Sequence, residues 1–275
     1  MTSAALEDWF LKRRLTDTQF KSSIHLPTPM SWEAGRVLVL GHRGYSALYP
    51  ENSLLAFEEA VKAGADGVEL DVRLTGDGEV VVIHDESLER TSNMSGLVGE
   101  LTLEEIRRAD LGMGQHIPAL REVLSRVERL VNVEIKEERA AERCVQVVRE
   151  TGSSDRVLYS SFNVDALRRV RSLDSEARLG LLIDREEMLA EIPSLTKELR
   201  LFSVNAPVEG VDLLGIEGFA AASEMLRSLG LRLILWAAND DRLHQLLPEL
   251  AGTFDAVITD DPPKALRLLR SMGLR

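Results

Sequence analysis

The sequence predicts a single (β/α)8 barrel of the TIM type, in the α/β class. Three observations point there. Eight short apolar runs succeed one another between residues 37 and 259, and most of the gaps between them hold a helix-like segment. The 275-residue chain also suits one barrel of about 250 residues. Strands that alternate with helices must run parallel, because each crossover returns the chain to the same end of the sheet.

The eight strands are read at 37–40, 67–73, 131–135, 157–160, 178–183, 201–205, 231–236 and 256–259. Helix-like segments lie at 53–63, 139–150, 164–172, 219–228, 241–250 and 263–271. Asn52 reads as the N-cap of the first and Gly64 as its stop, and Asp261 before Pro262 starts the last. A ninth strand-like run, 79–84, follows strand two too closely for a crossover. The linker Thr75-Gly76-Asp77-Gly78 instead signals a β-hairpin with Asp77-Gly78 as a two-residue turn. In that register Gly76 faces Glu79 and His84 comes level with Asp71. Residues 85–118 then form a small irregular insertion over the same face. Residues 1–35 are an extension ahead of the barrel domain, 36–275. Leu6, Trp9, Phe10 and Arg13 recur at helical spacing, which predicts an amphipathic helix over 4–15 that packs on the barrel end or serves a homo-oligomer contact.

Composition narrows the partners. With 33 Lys and Arg against 45 Asp and Glu, the net charge of −12 excludes an extended nucleic-acid surface. No apolar run is long enough to cross a bilayer, and Glu7, Asp8 and the basic run 12–14 interrupt any signal-peptide core. Cys144 is the only cysteine, which excludes an intrachain disulfide and a cysteine zinc cluster and fits a reducing, cytoplasmic setting. It lies in a helix-like run and reads as a buried thiol.

In parallel barrels the chemistry sits at the C-terminal ends of the strands. In strand two Val68, Leu70 and Val72 alternate with Glu69, Asp71 and Arg73, and in strand three Val131, Val133 and Ile135 alternate with Asn132, Glu134 and Lys136. The apolar sets should face the helices, which sends Glu69, Asp71 and Glu134 into the barrel mouth. Three like charges at one point need a raised pKa or a bound cation, and all-oxygen ligation suits Mg²⁺ or Ca²⁺. The competing reading is plain ion pairing with Arg73 and Lys136. His42 and His84 end strands beside this cluster, where two imidazoles suit proton removal from a nucleophile and proton donation to a leaving group, or metal ligation. Arg43 and Lys136 add positive charge fitted to a phosphate. A phosphodiester matches that set. Trp236 and Phe162 follow strands and could wall a substrate pocket or pack in the core. Glu51 could touch the site or belong to a helix start. His25, His116 and His244 read as structural or exposed.

These residues fall within motifs that resemble the glycerophosphodiester phosphodiesterase family. The match runs through G-H-R-G (41–44), P-E-N-S-L-L-A-F (50–57), D-G-V-E-L-D-V-R-L-T-G-D-G (66–78) and V-V-I-H-D (81–85). It continues through L-T-L-E-E-I (101–106), I-P-A-L-R-E-V-L (117–124), V-E-I-K (133–136), S-S-F (160–162) and F-D-A-V-I-T-D-D-P (254–262). The early block is the more specific, and residues 206–218 match no motif. The resemblance implies a (β/α)8 barrel that hydrolyses glycerophosphodiesters to sn-glycerol 3-phosphate and an alcohol. It implies His42 and His84 as general acid and base, Glu69, Asp71 and Glu134 as cation ligands, and Arg43 and Lys136 as phosphate contacts. A lysophospholipid substrate, and a catalytically silent barrel that binds phosphorylated ligands, are the alternative expectations.

Overall fold

A computed structural model describes Trp32 and residues 35–275. The helix expected at 4–15, and His25, lie outside the described residues. The strands form one closed parallel barrel, β1 (Leu38–His42), β2 (Gly67–Leu74), β6 (Leu130–Ile135), β7 (Val157–Ser161), β8 (Arg178–Leu182), β9 (Ser203–Pro207), β10 (Arg232–Trp236) and β11 (Ala256–Thr259). Closure comes from β1, which pairs in parallel with β11 on one side and β2 on the other. β3 (Val80–Val82) adds antiparallel to β2 outside the ring, and β4 (Asp110–Gly112) pairs with β5 (Gln115–His116) in the insertion.

The expected alternation sorts the side chains. Val68, Leu70, Val72, Val131 and Val133 are buried in the outer layer with Phe57, Ala60, Leu120 and Leu124 from the helices α1 (Leu54–Lys62) and α3 (Leu120–Arg126). A separate inner cluster of Leu38, Leu40, Leu130, Leu158, Ile234, Ala256 and Ile258 fills the barrel, so it is a packed core and not a pore. Trp32 and Phe202 pack against that cluster at a centroid distance of 5.3 Å, and the Arg232 guanidinium lies 5.0 Å from the Trp32 ring centroid. The remaining helices are α2 (Leu103–Ile106), α4 (Ala141–Glu150), α5 (Val164–Leu173), α6 (Ile192–Leu199), α7 (Gly210–Ser228), α8 (Asp240–Leu246) and α9 (Pro262–Ser271). Cys144 is fully buried on α4, and burial pushes its thiol pKa up, as expected of an inert core cysteine.

Four local readings change. The hairpin register is displaced by one residue, with Val72 opposite Val82 and Leu74 opposite Val80. Its loop has three residues, because Gly78 N–H donates to the Thr75 carbonyl and the left-handed Gly78 (φ 87°) makes a bulge. Thr75 fixes this choice, since its hydroxyl donates to Asp77 and accepts from the Glu79 N–H. The amide of Ile83, and not of His84, therefore reaches the Asp71 carbonyl. The cap of α1 is Ser53, whose Oγ accepts from the Ala56 N–H, which releases Asn52 for another task. The insertion is less irregular than expected, because it holds short elements and buries Leu88, Val98, Ile106 and Ile117 against Val81 and Ile83 of the hairpin. The last helix before β10 starts nine residues earlier than expected and bends at Gly215, where φ is 69° and ψ is 169°.

One close approach sets the β2–β6 spacing. A β-carbon on Gly67 would stand 2.3 Å from the Leu130 carbonyl oxygen. We expect Gly67→Ala to lower unfolding stability by about 1–3 kcal/mol, the usual cost of overpacking. Chemical denaturation would show it, and an unchanged midpoint would mean that β2 and β6 separate freely.

Candidate active site

Strand ends place the site. A cavity of about 450 Å³ opens at the C-terminal end of the barrel, lined by His42, Arg43, Glu51, Glu69, His84, Glu134, Lys136, Phe162 and Trp236, together with Ser46, Asn132 and Asp260. Every residue expected to act on a cation or a substrate is thus on this wall except Asp71, which is buried beside Glu69 and Glu134. Arg73 is the residue that does not join: its Nε donates to the His84 carbonyl at 2.8 Å, and the side chain braces the hairpin.

Glu69, Asp71 and Glu134 converge as the strand pattern requires, with one oxygen from each within 4.8 Å of the others. All three are at least nine-tenths buried. Burial and the neighbouring Asp71 charge push Glu69 up to about 8. Burial and Asp71 also raise Glu134. Burial would raise Asp71 too, but Lys136 and Arg43 outweigh it and hold that carboxyl below its ordinary value. Lys136 Nζ lies 2.5 Å from Glu134 Oε1 and 3.4 Å from Asp71 Oδ1, and Arg43 Nε lies 3.2 Å from Asp71 Oδ2. Ion pairing with Lys136 is therefore real, yet it leaves Glu69 uncompensated. Asn132, opposite Glu69 in register, lines the same cavity with a buried Oδ1 that has no protein partner. An all-oxygen set with surplus negative charge and an unfilled acceptor fits a hard divalent cation.

Local backbone strain serves the cluster. Arg43 and Asn52 both have left-handed backbone (φ 54° and 58°), which costs about 1–3 kcal/mol at a residue bearing a β-carbon. In return the Arg43 N–H donates to Glu69 Oε2 at 3.1 Å, and Asn52 Nδ2 donates to Asp71 Oδ2 at 2.9 Å. The Asn52 N–H in turn donates to the Arg43 carbonyl at 2.9 Å, so the two strained residues hold each other.

Each imidazole is held from behind. His42 Nδ1 lies 2.7 Å from Asp260 Oδ1, and its Nε2 lies 3.9 Å from Glu69 Oε2. His84 Nδ1 lies 2.6 Å from Asp85 Oδ1. Arg90, from the insertion, bonds Asp85 and both Glu51 oxygens, and Glu51 also accepts from Arg43 at 2.8 Å. Burial lowers the His42 pKa, but the Asp260 hydrogen bond and the Glu69 charge raise it further, so it ends above its ordinary value. Burial dominates at His84, which ends below. Across the cavity Phe162 and Trp236 stack edge-to-face at 5.8 Å, and Trp236 Nε1 donates to the Asn205 carbonyl, which fixes an apolar wall.

The chain matches a family model, the glycerophosphoryl diester phosphodiesterase family, over residues 42–264. The chain belongs to this family. Glycerophosphoryl diester phosphodiesterases are hydrolases, and the match runs from the last residue of β1 through β11. A glycerophosphodiester phosphodiesterase of Caldanaerobacter subterraneus subsp. tengcongensis is 34% identical over 253 residues, which is 86% of this chain and all of that protein. The crystal structure of the Thermotoga maritima glycerophosphodiester phosphodiesterase is similar with a TM-score of 0.71 and 33% identity, covering 85% of this chain and 98% of that one. An Oleispira antarctica phosphodiesterase, solved in complex with the product sn-glycerol-3-phosphate, has a TM-score of 0.75 and 26% identity, covering 85% and 96%.

Sequence reasoning missed Asp260, Asn52, Asp85 and Arg90. Asp260 carried a usable signal: Ala256, Ile258 and Asp260 alternate inward, so the strand-end rule applied to β11 reaches it.

Crowded carboxylates give the cation-free protein a pH dependence of definite sign. The unfolded chain releases the Glu69 proton near pH 4.5 and the His42 proton near pH 6.5, whereas the folded protein holds both more tightly. Between pH 6.5 and about 8 the folded state thus binds more protons, and stability falls as pH rises. His84 shifts the other way and contributes only below pH 6.5. We expect the denaturation midpoint in EDTA to drop across that window and the drop to shrink in Glu69→Gln. A flat profile in EDTA would contradict the crowding.

Proposed function

We propose that this protein hydrolyses glycerophosphodiesters to sn-glycerol 3-phosphate and an alcohol, using His42 and His84 as its acid–base pair. One observation carries the reading: two carboxylate-held imidazoles, Arg43, Lys136 and two members of a three-carboxylate cluster, Glu69 and Glu134, line one cavity at a barrel mouth. The family to which the chain belongs, and the product bound to the Oleispira relative, support it.

Each residue has a derivable task. Glu69, Asp71 and Glu134 would hold a divalent cation, Mg²⁺ or Ca²⁺, which when bound supplies Lewis-acid polarisation of a phosphate oxygen. Arg43 and Lys136 would place guanidinium and ammonium donors against the phosphate charge. One imidazole takes the proton of the attacking oxygen and the other protonates the leaving oxygen. The same pair serves whether the attacking oxygen belongs to water or to the neighbouring glycerol hydroxyl. Phe162 and Trp236 would offer the alcohol moiety a rigid apolar wall. Glu51 touches Arg43 and Arg90, so its task is to fix the phosphate-binding guanidinium.

The test is product release from glycerophosphocholine, glycerophosphoethanolamine, glycerophosphoinositol and lysophosphatidylcholine. We expect release from the first three to stop in EDTA and to return with Mg²⁺ or Ca²⁺. His42→Ala and His84→Ala should each lower kcat by roughly 10²- to 10⁴-fold without loss of fold. Turnover near wild type in either variant would remove that histidine from the chemistry. Release from lysophosphatidylcholine alone would shift the substrate class to lysophospholipids.

A further inference from the structure

The strand register explains how Asp260 meets His42 across 218 positions of sequence. β1 and β11 pair in parallel with Gly41 opposite Thr259, so the next residues of both strands emerge side by side at the mouth. Asp260 is itself anchored there. Its N–H donates to Asp240 Oδ1 at 3.1 Å, and the Ser46 hydroxyl donates to its Oδ1 at 2.9 Å while also lying 2.8 Å from the His42 carbonyl. A carboxylate can only accept, so at 2.7 Å the His42 Nδ1 must carry the proton of this bond. The opposite ring nitrogen then points toward the carboxylate cluster, with Glu69 Oε2 3.9 Å from Nε2.

We propose that Asp260 is a positioning residue for His42, accepting the Nδ1 proton and so fixing both the tautomer and the ring orientation that present Nε2 to the cavity. The inference rests on the reading that His42 transfers a proton in the reaction. Asp260 also lines the cavity, but the bond to Nδ1 sets its role: without an acceptor there, the ring is less constrained and its proton settles on either nitrogen. Such a residue acts on the chemical step more than on substrate affinity, because a proton-transferring imidazole interacts with the substrate more strongly in the transition state than in the ground state.

The experiment uses full-length protein supplied with Mg²⁺ and glycerophosphocholine. Asp260→Ala should lower kcat roughly 10²- to 10⁴-fold. KM should stay within about threefold of wild type. Asp260→Asn can turn its amide to donate to Nδ1 and so hold the opposite tautomer, and its kcat should stay within about tenfold of the Ala variant. A separate measurement needs no variant: long-range ¹⁵N–¹H spectra of the wild-type protein near pH 8.5 should show His42 Nδ1 protonated. Three results would overturn the proposal: a bare Nδ1 in those spectra, Asp260→Ala with kcat near wild type while His42→Ala is inactive, or an Asn variant with kcat near wild type. Full turnover by His42→Ala is a different outcome, which removes the acid–base reading and this proposal with it.

Discussion

Three buried carboxylates that cannot all stay charged are the constraint on which the rest of the mouth depends. Glu69, Asp71 and Glu134 are forced together because β2 and β6 are parallel neighbours in register, Asp71 opposite Glu134, with their apolar faces committed to the helices. The strands cannot turn these side chains elsewhere without exposing Val68, Leu70 and Val133. Everything near them answers that repulsion. Lys136 and Arg43 neutralise part of it, the Arg43 N–H and the Asn52 amide supply directed donors, and Glu69 retains the excess. A group that absorbs this surplus, whether a proton or a cation, becomes part of the resting site.

The same constraint accounts for the strain at Arg43 and Asn52. Both residues leave the favoured backbone regions so that an N–H and an amide can meet the carboxylates from the β1 side. The arrangement spreads outward through Glu51 to Arg90 and Asp85, so a side chain from the insertion and one from the loop after β1 share the task of fixing His84 and Arg43. Rigid placement of this kind lowers the reorganisation needed when charge moves in a reaction.

How much of this was legible in the sequence follows from the range of the forces involved. The barrel and the three carboxylates were readable because a period of two is a local property of a strand. His84 was readable as a strand-end residue, but its level was not, because Thr75 selects a three-residue loop through two side-chain hydrogen bonds. Asn52 was misassigned because adjacent Ser53 makes an equally good cap, and only the tertiary position of Asp71 decides between them. Asp85 and Arg90 follow no periodicity, since they meet through the fold of an insertion that has its own small core.

The pairing of the first barrel strand with the last has a consequence for how the protein matures. His42 lies near the start of the barrel and Asp260 near its end, and their contact exists only after β11 has docked between β10 and β1. Such long-range closure is slow compared with local helix formation. A chain still emerging from the ribosome, or one trapped with an open barrel, can already bring β2 beside β6 and gather the carboxylates while His42 is unsupported. The contact between His42 and Asp260 is thereby among the last that the barrel can make, and it forms only when the ring of strands is complete.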